Sequence, residues 1–334
     1  MYINKKGRRR GMKLKRYRGD PILEKDPEHD WERGSVLNPG AIYENGFFRL
    51  IYRATNDVHP EHEGAYMSSL GYAESVDGMH FQRFEEPLLA PTEDYENGLG
   101  CEDPRVTKID GIYYLYYTAV GGHNHEQKVR IALATSKDFV HWNKHGIVGP
   151  DIFSKAACLF PEKINGKYTM LFTFELESPK ATIMMAQFDD IYDVFYPSKE
   201  RMNRIVHEEY EESVVFRPSD GRGNEVGAVP IKTPHGWLFI YSALSTVDGH
   251  TEWSISVALL DLHDPRKILA NVDHILKPET EREIHGVVNH VAFPEGAVVF
   301  GEDLYVYYGS GDQGICLAMC DYQELLEHLT SHVI

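Results

Sequence analysis

Apolar positions in the chain fall into short aromatic-rich runs broken by Asn-Gly, Asp-Gly and His-Gly pairs, and long helical periodicity is scarce. Runs of Tyr, Phe, Ile and Val bounded by such pairs predict β-hairpins. One pattern recurs five times: a proline, a short polar stretch with Gly or Asp, then an aromatic strand. The copies are "NPGAIYENGFFRLIYRA", "DPRVTKIDGIYYLYYTA", "FPEKINGKYTMLFTF", "VPIKTPHGWLFIYSA" and "FPEGAVVFGEDLYVYYGS". Their prolines, Pro39, Pro104, Pro161, Pro230 and Pro294, lie 65, 57, 69 and 64 residues apart. After most copies comes a second strand with small residues and an acidic turn, as in "SLGYAESVDG" and "RIALATSKDF". Units of this size cannot each bury a core alone, so the expected fold is all-β, a five-bladed β-propeller. A sandwich or a two-domain α/β chain leaves the five copies unexplained. Only "YQELLEHLTSHVI" reads as a helix, short and C-terminal, with Leu325, Leu326 and Leu329 on its apolar side.

In a propeller the innermost strand of each blade starts near the axis. Residues flanking the repeated prolines then converge on one pocket: Asn38, Asp103, Arg105, Glu162, Glu225 and Glu295. Proline denies the ladder one donor and holds each strand entrance extended. Convergent carboxylates in a pocket are where acid/base pairs with shifted pKa values are expected.

Charge changes this picture only at one end. The 334 residues carry a formal charge of −17, yet residues 1–18 hold nine Lys/Arg and no acid. Residues 1–19 therefore read as a basic tail and 20–334 as a single propeller domain. The acidic body argues against nucleic acid or an anionic membrane as partner. No apolar run nears the roughly 18 residues of a membrane span, and no secretory h-region follows the basic start. Cys101, Cys158, Cys316 and Cys320 form no CxxC pair, which suits reduced thiols in a cytoplasmic protein.

The segments "NPGAI", "YRATND", "EDPRVTKIDGIYYLYYT", "LFPEKINGKYTML", "GAVPIKTPHGWLFIY" and "YYGSGD" carry a resemblance. In this order they resemble the motifs of glycoside hydrolase family 130, inverting β-mannoside phosphorylases and hydrolases on a five-bladed propeller. The resemblance implies that Asp103 is the catalytic acid, its proton reaching the glycosidic oxygen through the 3-hydroxyl of the mannosyl ring. It implies that Asn38, Arg53, Asp57 and Asp312 hold the −1 mannose. Carboxylates accept from sugar hydroxyls and the Arg53 fork donates to ring substituents. Glu102 is left a supporting role toward sugar or Arg105.

The family divides by nucleophile, water or phosphate. Against the phosphorylase pattern, cations are replaced at three positions, by Glu162 in "LFPEKINGK", Glu225 in "GNEVGAVP" and Ser242 in "LFIYSA". Such a site repels a phosphate dianion. An inverting hydrolase needs an acid and a base roughly 6.5–9.5 Å apart with water between. The expected pairing is Asp103 as acid and Glu225 as base, with Glu162 as a second base or water-positioner. Lys163 and Arg105 keep some positive charge nearby, so phosphorolysis is the alternative.

The expected function is thus hydrolysis of β-mannosides, exo-acting on β-1,2-linked manno-oligosaccharides, with no cofactor. Phosphorolysis to α-mannose 1-phosphate is the first rival. A family 43-like arabinan- or xylan-cleaving propeller is the second, and a non-catalytic sugar-binding propeller the third. His59 and His62 in "HPEHE", and His123 and His125 in "GGHNHE", lack a full ligand set for a metal. His123 is the better placed of these to rim the pocket and contact sugar.

Overall fold

A computed structural model describes residues 12–57, 66–122, 126–175, 181–217 and 222–331. Two short strands, β1 (Lys15–Arg16) and β2 (Leu23–Glu24), precede five antiparallel meanders. The first is β3 (Ser35–Glu44), β4 (Phe47–Thr55), β5 (Ser68–Ser75) and β6 (Gln82–Arg83). The second is β7 (Gly100–Ile109), β8 (Ile112–Gly121), β9 (Lys128–Ser136) and β10 (Asn143–Ile147). The third is β11 (Ser154–Leu159), β12 (Tyr168–Phe174), β13 (Thr182–Phe188) and β14 (Val214–Phe216). The fourth is β15 (Arg222–Val226) and β16 (Ile231–Thr233), both on β17 (Gly236–Val247), then β18 (His250–Leu260) and β19 (Ile268–Leu276). The fifth is β20 (Ala292–Phe300), β21 (Asp303–Ser310) and β22 (Gly314–Asp321). One parallel bridge, Ser68 to Gly100, links the first two meanders into a single hydrogen-bonded sheet.

The central strands are buried on both faces, as in "YTMLFTF" of β12, which accounts for continuous apolar runs rather than alternation. Each meander packs on the next through an apolar cluster. Ile51 and Leu70 meet Leu115 and Tyr117, Tyr116 and Leu133 meet Met170 and Phe172, and Leu171 meets Phe239. Leu238 and Val257 meet Val306 and Tyr308, and Leu50 of the first meander meets Tyr307 and Leu317 of the fifth. The packing therefore returns to where it began.

The N-terminal segment completes the fifth sheet. Lys15 and Arg16 pair with Met319 and Ala318, Leu23 with Ile315, and Leu14 is buried. Arg16 also holds Glu283 at 2.8 Å. Lys15 and Arg16, within the stretch 1–19 assigned to a basic tail by its charge, are thus an edge strand of this sheet. Backbone pairing and one buried carboxylate decide their place, and neither shows in composition.

The acidic turns after the second strands are side-chain caps. Ser75 Oγ accepts from the Gly78 amide and Asp77 Oδ1 from the Met79 and His80 amides. Ser136 and Asp138 repeat this for Phe139, Val140 and His141. The C-terminal helix is present, but helical structure is not confined to it. Between β13 and β14 run α1 (Ile191–Phe195), α2 (Lys199–His207) and α3 (Tyr210–Ser213). Ser198 caps α2, whose Met202, Ile205 and Val206 face the core at helical spacing. A short α4 (Glu281–Ile284) precedes β20, and α5 (Tyr322–Thr330) buries Leu325, Leu326 and Leu329. Among the described residues no helix is long and apolar enough to cross a membrane.

Candidate active site

The first strand of each meander is interrupted at one place. Pairing slips between Leu37 and Pro39 in β3, Glu102 and Arg105 in β7, Lys155 and Ala157 in β11, and Pro294 and Gly296 in β20. In the fourth meander Gly227–Pro230 separates β15 from β16. Asn38, Asp103 and Ala156 sit at their bulges with φ of 48°, 51° and 50°. A bulge re-aims side chains that a regular strand would alternate. Close approach of the strands allows them to meet: a Cβ on Gly40 would lie 2.4 Å from Pro104 O, and one on Gly309 2.2 Å from Asn38 Oδ1.

Arg53 on β4 anchors one wall. Its Nη2 donates to Glu102 Oε1 at 2.6 Å and its Nη1 to Asp103 Oδ1 at 3.4 Å. Ser68 Oγ donates to Glu102 at 3.1 Å, Asn38 Nδ2 to Asp103 at 2.9 Å, and Tyr66 lies beside the guanidinium. Burial pushes Glu102 up to about 7, with the neighbouring Asp103 charge adding and Arg53 opposing. For Asp103 burial also pushes upward, but Arg53, the Asn38 bond, Arg105 and Lys155 outweigh it and hold the carboxyl below its ordinary range. Asp312, in the β21–β22 turn, is pushed up to about 6 by burial against the pull of Arg53.

The opposite wall is built on Glu225 of β15. Lys155 Nζ lies 2.9 Å from Glu225 Oε2 and 3.8 Å from Glu175 Oε1, and Trp253 Nε1 donates to Glu225 Oε1 at 3.4 Å. Burial lowers the Lys155 pKa, but Glu225 and Glu175 together raise it further, and the charge of Asp103 adds to them. Lys155 is therefore a cation facing both walls. Burial raises Glu175.

Arg105 joins the walls from within. Its guanidinium, with no exposed surface, donates to Gly227 O at 2.7 Å, Val226 O at 2.8 Å, Asp103 O at 3.0 Å and Glu295 at 3.1 Å. Burial raises Glu295 well above its ordinary range. Arg105 is thus occupied by protein acceptors, and it fixes the strand of Glu225 against that of Asp103 rather than facing a sugar.

Of the expected site residues, Asn38, Arg53, Glu102, Asp103, Glu225 and Asp312 are brought together. Ser242 is buried directly across the ladder from Glu225. Glu162 is not brought together with them: it is exposed and paired with Lys232, itself exposed. Pro161 follows the end of β11, so the residue after it faces solvent, and the bulge of this meander comes earlier. Asp57 is exposed, at the end of the described part of its loop. His123, like His59, His62 and His125, lies outside the described residues. Sequence reasoning missed Lys155, Glu175, Tyr66, Ser68 and Trp253. For Lys155 a signal existed, a lone cation at the head of the apolar run "KAACLF".

Residues 14–331 match the sequence model of glycoside hydrolase family 130, described as β-1,4-mannooligosaccharide phosphorylase. A 1,2-β-oligomannan phosphorylase of Thermoanaerobacter sp. (strain X514) is 39% identical over 94% of this chain and 99% of that protein. A β-1,2-mannobiose phosphorylase of the same strain is 38% identical over the same shares. Among solved structures, a β-1,2-mannobiose phosphorylase from Listeria innocua, complexed with β-1,2-mannobiose, superposes with a TM-score of 0.78. It is 26% identical, over 96% of this chain and 100% of that one.

Proposed function

The chain belongs to glycoside hydrolase family 130, and on that premise we propose that it is an inverting phosphorylase of β-1,2-linked manno-oligosaccharides. The five meanders, packed each on the next and the last on the first, support a five-bladed propeller with this site on its axis. Asp103 is the acid, and Asn38, Arg53 and Asp312 hold the terminal mannose beside it.

Lys155 carries the choice of phosphate over water. The case for a hydrolase rested on three missing cations, Glu162 among them. Glu162 is away from the site, and Lys155 puts an ammonium beside Glu225 that the proline spacing hid. A phosphate at that ammonium attacks C1 from the face opposite the leaving oxygen. The C1–O bond breaks, the acid's proton goes to that oxygen, and α-mannose 1-phosphate leaves with the shortened oligosaccharide. The phosphorylases that share 38–39% of its residues agree in activity. Family membership also displaces the family 43 alternative.

Glu225 favours a second reading. A buried carboxylate beside Lys155 has the chemistry of a general base for water, and it is the hydrolase expectation in its strongest form. Incubating the protein with β-1,2-mannobiose, with and without phosphate, and following anomeric NMR signals separates the two. Phosphorolysis gives α-mannose 1-phosphate and mannose only with phosphate present. Equal mannose release without phosphate, and no sugar phosphate with it, overturns the proposal.

A further inference from the structure

Glu102 and Asp103 are neighbours in a strand, where successive side chains point to opposite faces. The left-handed φ of 51° at Asp103 and the slip in pairing after Glu102 remove that alternation. Both carboxyls therefore reach the same guanidinium, Glu102 at 2.6 Å and Asp103 at 3.4 Å from Arg53. One guanidinium compensates one charge. A second ionised carboxylate, buried at the same fork, is opposed by desolvation and by its neighbour.

We propose that Glu102 and Asp103 hold one proton between them across the Arg53 fork, and that Glu102 keeps this proton and hands it to Asp103 for each mannosyl transfer. This rests on the family 130 reading of Asp103 as acid. Each member has two donors, and a second guanidinium, Arg105, at 3.0 Å from the Asp103 carbonyl, tips the charge at rest toward Asp103. Asp103 receives Asn38 and one arm of Arg53, and lies near Arg105 and Lys155. Glu102 receives the other Arg53 arm and Ser68. Among the described residues the pair is also faced by the titratable Tyr66 before β5 and by the acids Glu225 on β15 beside Lys155, Glu295 on β20 and Asp312 in the β21–β22 turn. These carboxylates outnumber the three cations, so the pocket as a whole favours retaining protons. The shift of Glu102 toward neutrality has the same direction.

An acid held ionised by its surroundings has no proton to give, and the partner supplies it. Glu102 passes its proton to Asp103, and Asp103 to the leaving oxygen as the C1–O bond breaks and the phosphate–C1 bond forms. Hydrogen phosphate brings one proton into the product monoester. That monoester releases it to the pair on ionising, so the cycle balances with no other reactant.

Glu102→Gln keeps the size and the acceptor for Arg53 and Ser68 but removes the titrating group. The test is kcat and KM for β-1,2-mannobiose from about pH 4.5 to 8.5, with phosphate saturating. Wild-type kcat is expected to fall as pH rises through about 7, where the pair loses its proton. In Glu102→Gln kcat drops by about 10²-fold or more, in the range of a proton-transfer group. KM stays within about threefold, and the alkaline limb moves by more than one pH unit. Glu102→Asp restores the limb. Ser68→Ala, which removes one donor to ionised Glu102, moves the limb to higher pH. An unmoved limb in both Glu102→Gln and Ser68→Ala overturns the proposal. If Glu102→Gln does not fold, as read by circular dichroism, the Ser68→Ala limb alone decides. Product analysis without phosphate is separate. A phosphate-independent enzyme with the shifted limb overturns phosphorolysis and upholds the pair.

Discussion

Replacing Lys155 by Met separates the two chemistries. The ammonium lies 2.9 Å from Glu225, whose side chain is 2% exposed, and 3.8 Å from Glu175, while its own side chain is 25% exposed. Removing one partner of a buried pair costs about 3–5 kcal/mol because the other charge stays behind. Residual exposure of Lys155 places the expectation at the low end, about 3 kcal/mol in unfolding free energy. The cost is smaller at low pH, where Glu175, already raised by burial, takes up a proton in the ammonium's place. Adding Glu225→Gln removes the orphaned charge and should recover more than half of the loss. For a phosphate about 4 Å from the ammonium, an effective dielectric of about 20 gives roughly 4 kcal/mol. Partial screening reduces this to a rise of about 10²-fold in KM for phosphate. Denaturant unfolding of wild type, Lys155→Met and the double variant measures the first quantity, and initial rates against phosphate concentration the second. A destabilised Lys155→Met whose phosphate KM stays within threefold of wild type would refute the reasoning, because Lys155 would then only neutralise carboxylates.

Arg105→Lys should lower stability by about 3 kcal/mol or more, since an ammonium cannot reach Gly227 O, Val226 O and Glu295 together and buried acceptors are left unpaired. Thermal unfolding reads this, and an unchanged Tm would contradict it. Glu162→Gln should leave kcat, KM and stability unchanged within about 0.5 kcal/mol, because its partner Lys232 is as exposed as it is; a tenfold loss of activity would return Glu162 to the site. The ligand-free protein should lose stability between pH 5 and 8. Burial raises Glu102 from 4.5 to about 7 and Asp312 from 3.8 to about 6, so the folded state holds protons that the unfolded chain gives up. Stability from these two is complete below their ordinary pKa values and lost as pH rises through 6–7, together a few kcal/mol. Asp103 has the opposite sign and matters only below about pH 4. A flat profile of denaturation midpoints from pH 5 to 8 would count against both shifts.

Much of the β-structure was legible because the hairpins carry local signals: a Gly-containing turn and an aromatic run, joined in the first two meanders by a Ser-x-Asp cap. The helices between β13 and β14 were not. Their apolar positions, Met202, Ile205 and Val206, occupy barely two turns, and Tyr192, Phe195 and Tyr196 beside them imitate the composition of a strand. The edge strands β1 and β2 are two residues long and owe their pairing to β22, far away in sequence.

The same distinction governs the site. Asn38, Asp103 and Glu295 were found because a proline stands next to each bulge, and proline is visible in the sequence. What repeats physically is the slip in pairing, which proline favours but does not monopolise. In β11 the slip falls at Ala156, in the left-handed region without proline or glycine, and five residues before Pro161. Aligning on Pro161 therefore placed Glu162 on the axis and left Lys155 unseen, reversing the charge assigned to that meander. One misplaced register converted a cation into a carboxylate and tilted the choice of nucleophile toward water. Glu175 followed Lys155 into obscurity, since only the partner gives a carboxylate at the end of β12 a reason to be near the axis. The proposal of phosphate as nucleophile thus rests on backbone geometry at a single alanine, and Lys155→Met is where that geometry meets the chemistry.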